Sequence, residues 1–466
     1  MSLGKGLKTK KMNVPRPLGR GIQLSLLLKV RAGGERPLSR TFRVDMLQYV
    51  NSGIVPTLKR LLPLIVVLMF FGCGMYENLE LAYNHGGHTF FNQGFFSIVA
   101  KNIRDTGFLK TKFGQPDKVD ENGRVTGYYV LHPPLISLIL AASFSLLIPH
   151  GVSMNAAAVI VPSIFSLGAL AIIYLIADNL GGPYVAFAST AIMGFTPMFR
   201  SYSQLVCHEP LATFFILGIV YTYMLMRQTN KPIHRHMMFG LIMTGTFVAW
   251  PIYYLIPLIA AHCLIYGKTG RLKLACQLFA VGAIMFSLFI AHIYLLEGDY
   301  ALNKLKNAER FRAGFDNYRM TLNLEQNINT FQYSILKGDV RKGNTDIIMY
   351  GCVIFLLNLI HGLYKRRDTS RESYIIMLIL VGAIHNFLWP VGVGVHNYWS
   401  YYLTPGLTLA AVFAVDSLLK EEDRTYQKVM IWSIIILFYI VNSRYFLGDR
   451  PDGSLFSTLL KPVKYT

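Results

Sequence analysis

Charge is scarce in this sequence, acid more so, and cysteine is rare. Charged residues make up 15% of the 466, against 53% hydrophobic. That shortage excludes a disordered chain and an ordinary soluble globular protein. The five cysteines, Cys73, Cys207, Cys263, Cys276 and Cys352, fall mostly inside apolar runs. They form no CxxC pair and no metal-ligand spacing, so they read as small core residues. No strand-period alternation dominates, which argues against a β-barrel. The first strong apolar run begins near residue 58, so no cleavable signal peptide is expected. No Asn-X-Ser/Thr sequon occurs, which favours a bacterial or archaeal plasma membrane over a eukaryotic secretory one.

Long apolar stretches are what the chain does have. They predict an all-α polytopic membrane protein. Candidate spans fall near 57–76, 153–178, 183–200, 209–226, 236–250, 251–267, 273–296, 346–364, 373–390, 400–419 and 427–444. A further run, "PPLISLILAASFSLLIP" at 133–149, is at the short limit for crossing. Basic short loops at 227–236, 266–273, 364–371 and 419–428 go to the cytoplasmic side with the N-terminal tail. The first span then exits outside at Glu77, and 209–226 enters from outside at Glu209. Three runs lie between these two outside points, and three crossings cannot return to the same side. The short run 133–149 is therefore predicted to be re-entrant or juxtamembrane. The organisation expected is a basic cytoplasmic tail (1–56), a transmembrane domain (57–444) and a short outer tail (445–466). Two long outer loops, 77–132 and 297–345, belong to the domain.

The chain carries 45 Lys and Arg against 25 Asp and Glu, a net charge of +20. About a quarter of the basic residues precede residue 46. That tail suits acidic lipid headgroups or simply orients the first span. No aromatic-basic module accompanies the charge, so nucleic acid is not an expected partner. The outer loop 297–345 is also basic, which suggests that an anion is handled there.

Polar groups converge on the outer side by this topology. The first loop contributes Asn84, His85, His88, Asn92 and Gln93, and "YYVLHPPL" contributes Tyr129 and His132. "RSYSQLVCHEPLATFF" contributes Arg200, Tyr202, Gln204, His208 and Glu209, and "HNYWSYY" contributes His396, Asn397, Tyr398 and Tyr401. Glu209 stands at a helix start, followed by Pro210 in the first turn, where an acid also steadies the helix dipole. His and carboxylate side chains suit zinc or manganese. No HxxxH or HExxH spacing supports a metal, and no metal ligands are assigned. The phenylalanine-rich run from Phe90 reads as an interfacial helix or as a core helix under the loop, with Lys101 and Arg104 as its basic edge.

Four motifs in order, "IVAKNI…GFL", "YYVLHPPL", "HEPLATFFIL" and "HNYWSYYLTPGLTLAA", carry a resemblance. From about residue 57 to 419 the chain resembles the ArnT/PMT-type polyprenyl-phosphate-sugar glycosyltransferases of the GT-C membrane fold. With the spans counted above, the resemblance implies a GT-C-like bundle, here of about 11 spans with a re-entrant or juxtamembrane helix and two long outer loops. It implies transfer of a sugar from a polyprenyl-phosphate donor to a lipid, glycan or protein acceptor on the outer face. An acid in the family's first loop is matched here by Asn92, which cannot accept a proton. The base then falls to His88 or Glu209, with Asn92 positioning a hydroxyl. His85, His132, Tyr129, His208, His396 and Tyr398 are expected to bind substrate. Arg200, Lys101, Arg104, Arg310 and Arg312 are expected to bind the lipid phosphate. Two other readings stay open: a GT-C-like scaffold subunit of a membrane complex that has lost catalysis, and a transporter. The spans are nearly free of charged residues, which a transporter would be expected to carry.

Overall fold

The computed structural model describes residues 55–79, 88–267, 270–314, 346–365 and 368–419. From Leu58 onward these belong to one compact unit, Leu58–Thr466. The basic tail, the span 427–444, the outer tail and the stretch 315–345 lie outside the described residues.

A helical bundle forms because uninterrupted apolar runs can satisfy their backbone groups only internally in lipid. In chain order come α1 (Val55–Glu77), α2 (His88–Thr106), a hairpin of β1 (Pro116–Val119) and β2 (Val125–Tyr128), α3 (Leu135–Leu147), α4 (Met154–Gly181), α5 (Pro183–Phe195) and α6 (Pro197–Tyr202). They are followed by α7 (His208–Thr229), α8 (Pro232–Thr246), α9 (Pro251–Tyr266), α10 (Arg271–Glu297) and α11 (Asp299–Arg312). The series closes with α12 (Asp346–Tyr364), α13 (Ser370–Leu388), α14 (Pro390–Val395), a 3-10 turn (Asn397–Leu403) and α15 (Thr404–Leu419). Among the described residues five segments are long and apolar enough to cross a membrane: α4, α7, α10, α13 and Tyr398–Leu419, with shorter apolar helices among the rest. The chain is an integral membrane protein. Within their spans α7 and the Tyr398–Leu419 segment are 78% buried, whereas α10 is 28% buried. The first two are therefore central and α10 is peripheral.

Helix α3 is too short to span a bilayer core as a straight helix. Thirteen residues rise only about 20 Å, short of a bilayer core, and both of its ends sit at one end of the bundle. Its first residue, Leu135, donates its N–H to Phe247 O at the close of α8. Toward its far end Ser143 donates to Ala157 O in the first turns of α4. Asn155 beside it donates to Leu79 O at the end of α1. Gln204, just before α7, donates to Met75 O of α1, so α7 begins at that same end.

Two local features depart from the sequence reading. The run 183–200 breaks into α5 and α6. Thr196 is extended, its hydroxyl accepts from Phe199 N, and Pro197 follows at the first helical position. The first outer loop is not all helical. Its antiparallel hairpin turns through Asp120, whose carboxylate accepts from Asn122 N and Arg124 N.

Close packing against α1 fixes where α5 can lie. A Cβ on Gly194 would overlap the ring of Phe71, which packs against Phe195 at 5.0 Å between centroids. Gly194→Ala is expected to destabilise by about 1–3 kcal/mol, the usual range for overpacking. Thermal unfolding in detergent checks it. Phe71→Leu in the same chain should recover most of the loss, and an unchanged melting temperature in the single variant would refute the close approach.

Candidate functional site

The site lies at the end of the bundle where α1 ends and α7 begins, and Gln115 holds its first wall. This buried amide donates to His132 O at 2.7 Å and to Tyr129 O at 3.3 Å, and accepts from Ser137 Oγ at 2.7 Å. Trp250 Nε1 donates to Leu131 O. The loop 129–132 thereby presents Tyr129 and His132 inward. The two imidazoles of His132 and His208 stack at 4.4 Å between centroids. Phe96 of α2 meets His208 edge-on at 5.0 Å, and Phe95 meets Tyr129 at 4.9 Å.

The start of α7 forms the floor. His208 and Glu209 are each 3% exposed, which rules out a solvated surface acid. The Cys207 thiol lies 3.7 Å from His208 Nδ1, at the start of the same helix. The opposite wall is the 3-10 turn and its flank. Tyr398 OH and His396 Nδ1 are 3.1 Å apart, Asn92 faces the Tyr398 hydroxyl, and Tyr202 packs on the Tyr398 ring at 5.8 Å. Arg312, in the last turn of α11, closes the group. Its guanidinium lies over Trp399 at 5.5 Å and donates to Glu309 Oε1 at 2.7 Å, with the Tyr129 phenol within its electrostatic reach.

Several buried polar atoms here have no protein hydrogen-bond partner: Asn92 Nδ2, His132 Nδ1, His208 Nε2 and Glu209 Oε2, with both ring nitrogens of His385. Orphaned atoms on this scale are rare in native interiors. Here four of them fall on Asn92, His132, His208 and Glu209. Burial, with His208 stacked alongside and Arg312 near, holds the His132 imidazole well below its ordinary range, so it stays neutral. Burial also lowers Arg200 to about 10, still protonated at neutral pH. It raises the Glu309 carboxyl, against the pull of Arg312.

One pH effect follows from His132. Its folded pKa lies below 6.5, so on acidification the unfolded chain takes a proton that the folded chain refuses. Stability contributed by the neutral ring is present above pH 6.5 and lost as pH falls through it. His132→Asn is expected to flatten the fall in stability between about pH 6.5 and 5, by up to about 1.4 kcal/mol per pH unit. Denaturant unfolding at three pH values checks this, and an unaltered slope would count against it.

The residues expected from sequence are not all here. Asn92, Tyr129, His132, His208, Glu209, His396, Tyr398 and Arg312 come together. Arg200 is buried on α6. Lys101 and Arg104 instead pair with Asp105 at 2.8 and 2.7 Å on the outer face of α2. Arg310 is exposed on α11. His88 opens α2, its side chain outside the described residues, as is His85 altogether. The helix α2 is two-faced: Asn92, Gln93, Phe96, Val99 and Ile103 are buried, and Phe91 and Ile98 are exposed. Gln93 donates to Asn155 at 2.6 Å, which pins that face to α4. Sequence reasoning missed His385, which packs against Trp399 at 5.0 Å and Tyr402 at 5.1 Å. An ionisable side chain inside an apolar span was the available signal. No group of three His, Cys, Asp or Glu side chains among the described residues could hold a metal ion, so no metal step is drawn.

No protein-family model matches the sequence, and no curated protein matches it. Solved structures do resemble the fold. The archaeal oligosaccharyltransferase AglB from Archaeoglobus fulgidus, in complex with an inhibitory peptide and a dolichol-phosphate, matches with TM-score 0.55 and 12% identity over 88% of this chain. The Archaeoglobus fulgidus oligosaccharyltransferase complexed with Zn and sulfate matches with TM-score 0.53 and 12% identity over 86%. ArnT from Cupriavidus metallidurans, bound to undecaprenyl phosphate, gives 0.50 and 12% over 83%. This chain spans 56%, 53% and 66% of their respective lengths. At that identity the likeness establishes architecture: the chain has the GT-C membrane fold.

Proposed function

We propose that the protein is a membrane glycosyltransferase that moves a sugar from a polyprenyl-phosphate donor to a hydroxyl-bearing acceptor. The single observation that carries this reading is the set of orphaned buried polar atoms on Asn92, His132, His208 and Glu209, with the Arg312 guanidinium within electrostatic reach of His132 and His208. One group accepts a proton and the other is a fixed cation, as sugar transfer from a phosphate requires. An acceptor oxygen attacks the anomeric carbon of the donor. The bond from that carbon to the phosphate oxygen breaks, and the polyprenyl phosphate leaves with the electron pair. The acceptor proton passes to Glu209. Arg312 stabilises the charge on the departing phosphate, and Asn92, His132 and His208 hold sugar hydroxyls. The chain's fold resembles that of proteins solved with dolichol-phosphate and undecaprenyl phosphate, which supports a lipid-linked donor. We assign the site to the outer face, with the N-terminus cytoplasmic, from loop charge.

A second reading is a scaffold subunit of this fold. Asn92 stands where the resembling family carries an acid, and Glu209 is only 3% exposed. One experiment separates the two. Purified protein in detergent is given a panel of radiolabelled polyprenyl-phosphate hexoses and pentoses. Release from at least one donor is expected. No release from any donor, together with no rise in melting temperature, would favour the scaffold.

A further inference from the structure

The opposite end of the bundle holds a second recess of about 550 Å3, where α7 and α9 end and α8 and α10 begin. Five cationic side chains line it: Arg227, Lys231, Arg235, Arg271 and Lys273. Among the described residues no carboxylate lines it and none of the five forms an ion pair. Crowded like charges repel one another, and a recess between helix ends screens them less than open water does.

Three of the five are fixed by the protein rather than spread into solvent. Arg227 Nη2 donates to Tyr266 O at 2.6 Å and its Nη1 reaches Tyr223 OH at 3.5 Å. Arg271 Nη1 donates to Leu264 O at 3.0 Å. Arg235 donates to Gln277 and lies over the Phe239 ring. A guanidinium has five N–H donors, so each keeps donors to offer. Lys231 and Lys273 are exposed and make no side-chain bond. Left-handed Gly270, at φ 68°, turns the chain into the first turn of α10, where N–H groups have no intrahelical partner. Basic residues that only orient a span need neither shared walls nor anchored guanidiniums.

We propose that this recess binds the phosphate of an acidic phospholipid headgroup. The recess also touches Met226 and Leu274. Beside it Ile233, Leu264, Ile265 and Leu272 are exposed, a surface suited to acyl chains rather than to a soluble ion. The shared chemistry is a phosphate held by guanidinium and ammonium groups. The inference is independent of sugar transfer, since it uses none of the residues assigned to that reaction.

The test uses the full chain, delipidated in detergent and then offered phosphatidylglycerol, phosphatidylcholine or glycerol 3-phosphate. Native mass spectrometry counts retained lipid and thermal unfolding reports stabilisation. Wild type is expected to retain phosphatidylglycerol over phosphatidylcholine. The Lys231→Gln, Lys273→Gln double variant should weaken that retention about tenfold or more. Both side chains are exposed and unbonded, so the variant should fold. Lys110→Gln with Lys118→Gln removes the same charge at the other end and should change nothing. Wild-type retention in the first double variant, an equal loss in the control, or equal retention of phosphatidylcholine would each overturn the proposal. If glycerol 3-phosphate stabilises as strongly as the lipid and displaces it, the phosphate site stands and its lipid assignment falls.

Discussion

Sugar transfer is expected to fall by about a hundredfold or more in Glu209→Gln, the usual loss when a general acid or base is removed. The substitution is nearly isosteric, and Glu209 is 3% exposed at the first turn of a central helix. The amide fills the same volume, so packing is retained. It cannot take up the acceptor proton. Loss should therefore appear in kcat, with donor KM little changed, because the carboxylate acts on the acceptor oxygen in the transition state. Melting temperature serves as the control. If Glu209 only steadied the helix dipole, the variant would lose a few tenths to about 1 kcal/mol of stability and keep its rate. An unchanged kcat would remove Glu209 from the mechanism and leave His88 as the base to test.

A base at this position depends on the company it keeps. His208, next to it at the same helix start, stacks on His132 and meets the Cys207 thiol at 3.7 Å, and Glu209 itself is 3% exposed. Such a carboxylate is dry, and electrostatic interactions in a dry site are stronger than in water. Gln115 makes that arrangement possible without touching it. By tying both Tyr129 and His132 carbonyls to the start of α3, it fixes the loop that carries the stack.

The sequence made much of this end of the bundle legible. The shortness of 133–149 was legible and agrees with the thirteen-residue α3, because helix length follows from a local apolar run. Glu209, His132, His208 and Tyr398 stood out because polar side chains at span ends are few. What escaped was set by contacts distant in sequence. Gln115 reads as an ordinary loop residue until Ser137 and the 129–132 carbonyls surround it. The hairpin strands are only four residues each, too short for alternation to register. The basic edge of Lys101 and Arg104 was read without Asp105, which stands four residues after Lys101 and next to Arg104 and pairs with both. His385 was passed over because the search of the spans was for Asp, Glu, Lys and Arg alone.

Arg312 should govern donor binding, and Lys101 should not. The guanidinium sits in a half-buried setting between Tyr129, Trp399 and Glu309. A charge-assisted bond to phosphate there is worth about 1.5–3 kcal/mol. Arg312→Ala is expected to raise donor KM by about ten- to a hundredfold at that magnitude. It also leaves Glu309, which is already raised by burial, without its partner. Some loss of stability should accompany the kinetic effect, and Arg312→Lys separates the two. The ammonium keeps the charge beside Glu309 but offers no planar fork, so stability should recover while donor KM stays intermediate. Lys101→Gln, whose parent side chain is 50% exposed and paired with Asp105, should alter KM by less than about twofold. Equal effects of the Arg312 and Lys101 variants would place the donor phosphate on α2 and not beside α11. An Arg312→Ala variant with normal KM and lowered melting temperature would confine Arg312 to holding α11 against the 3-10 turn.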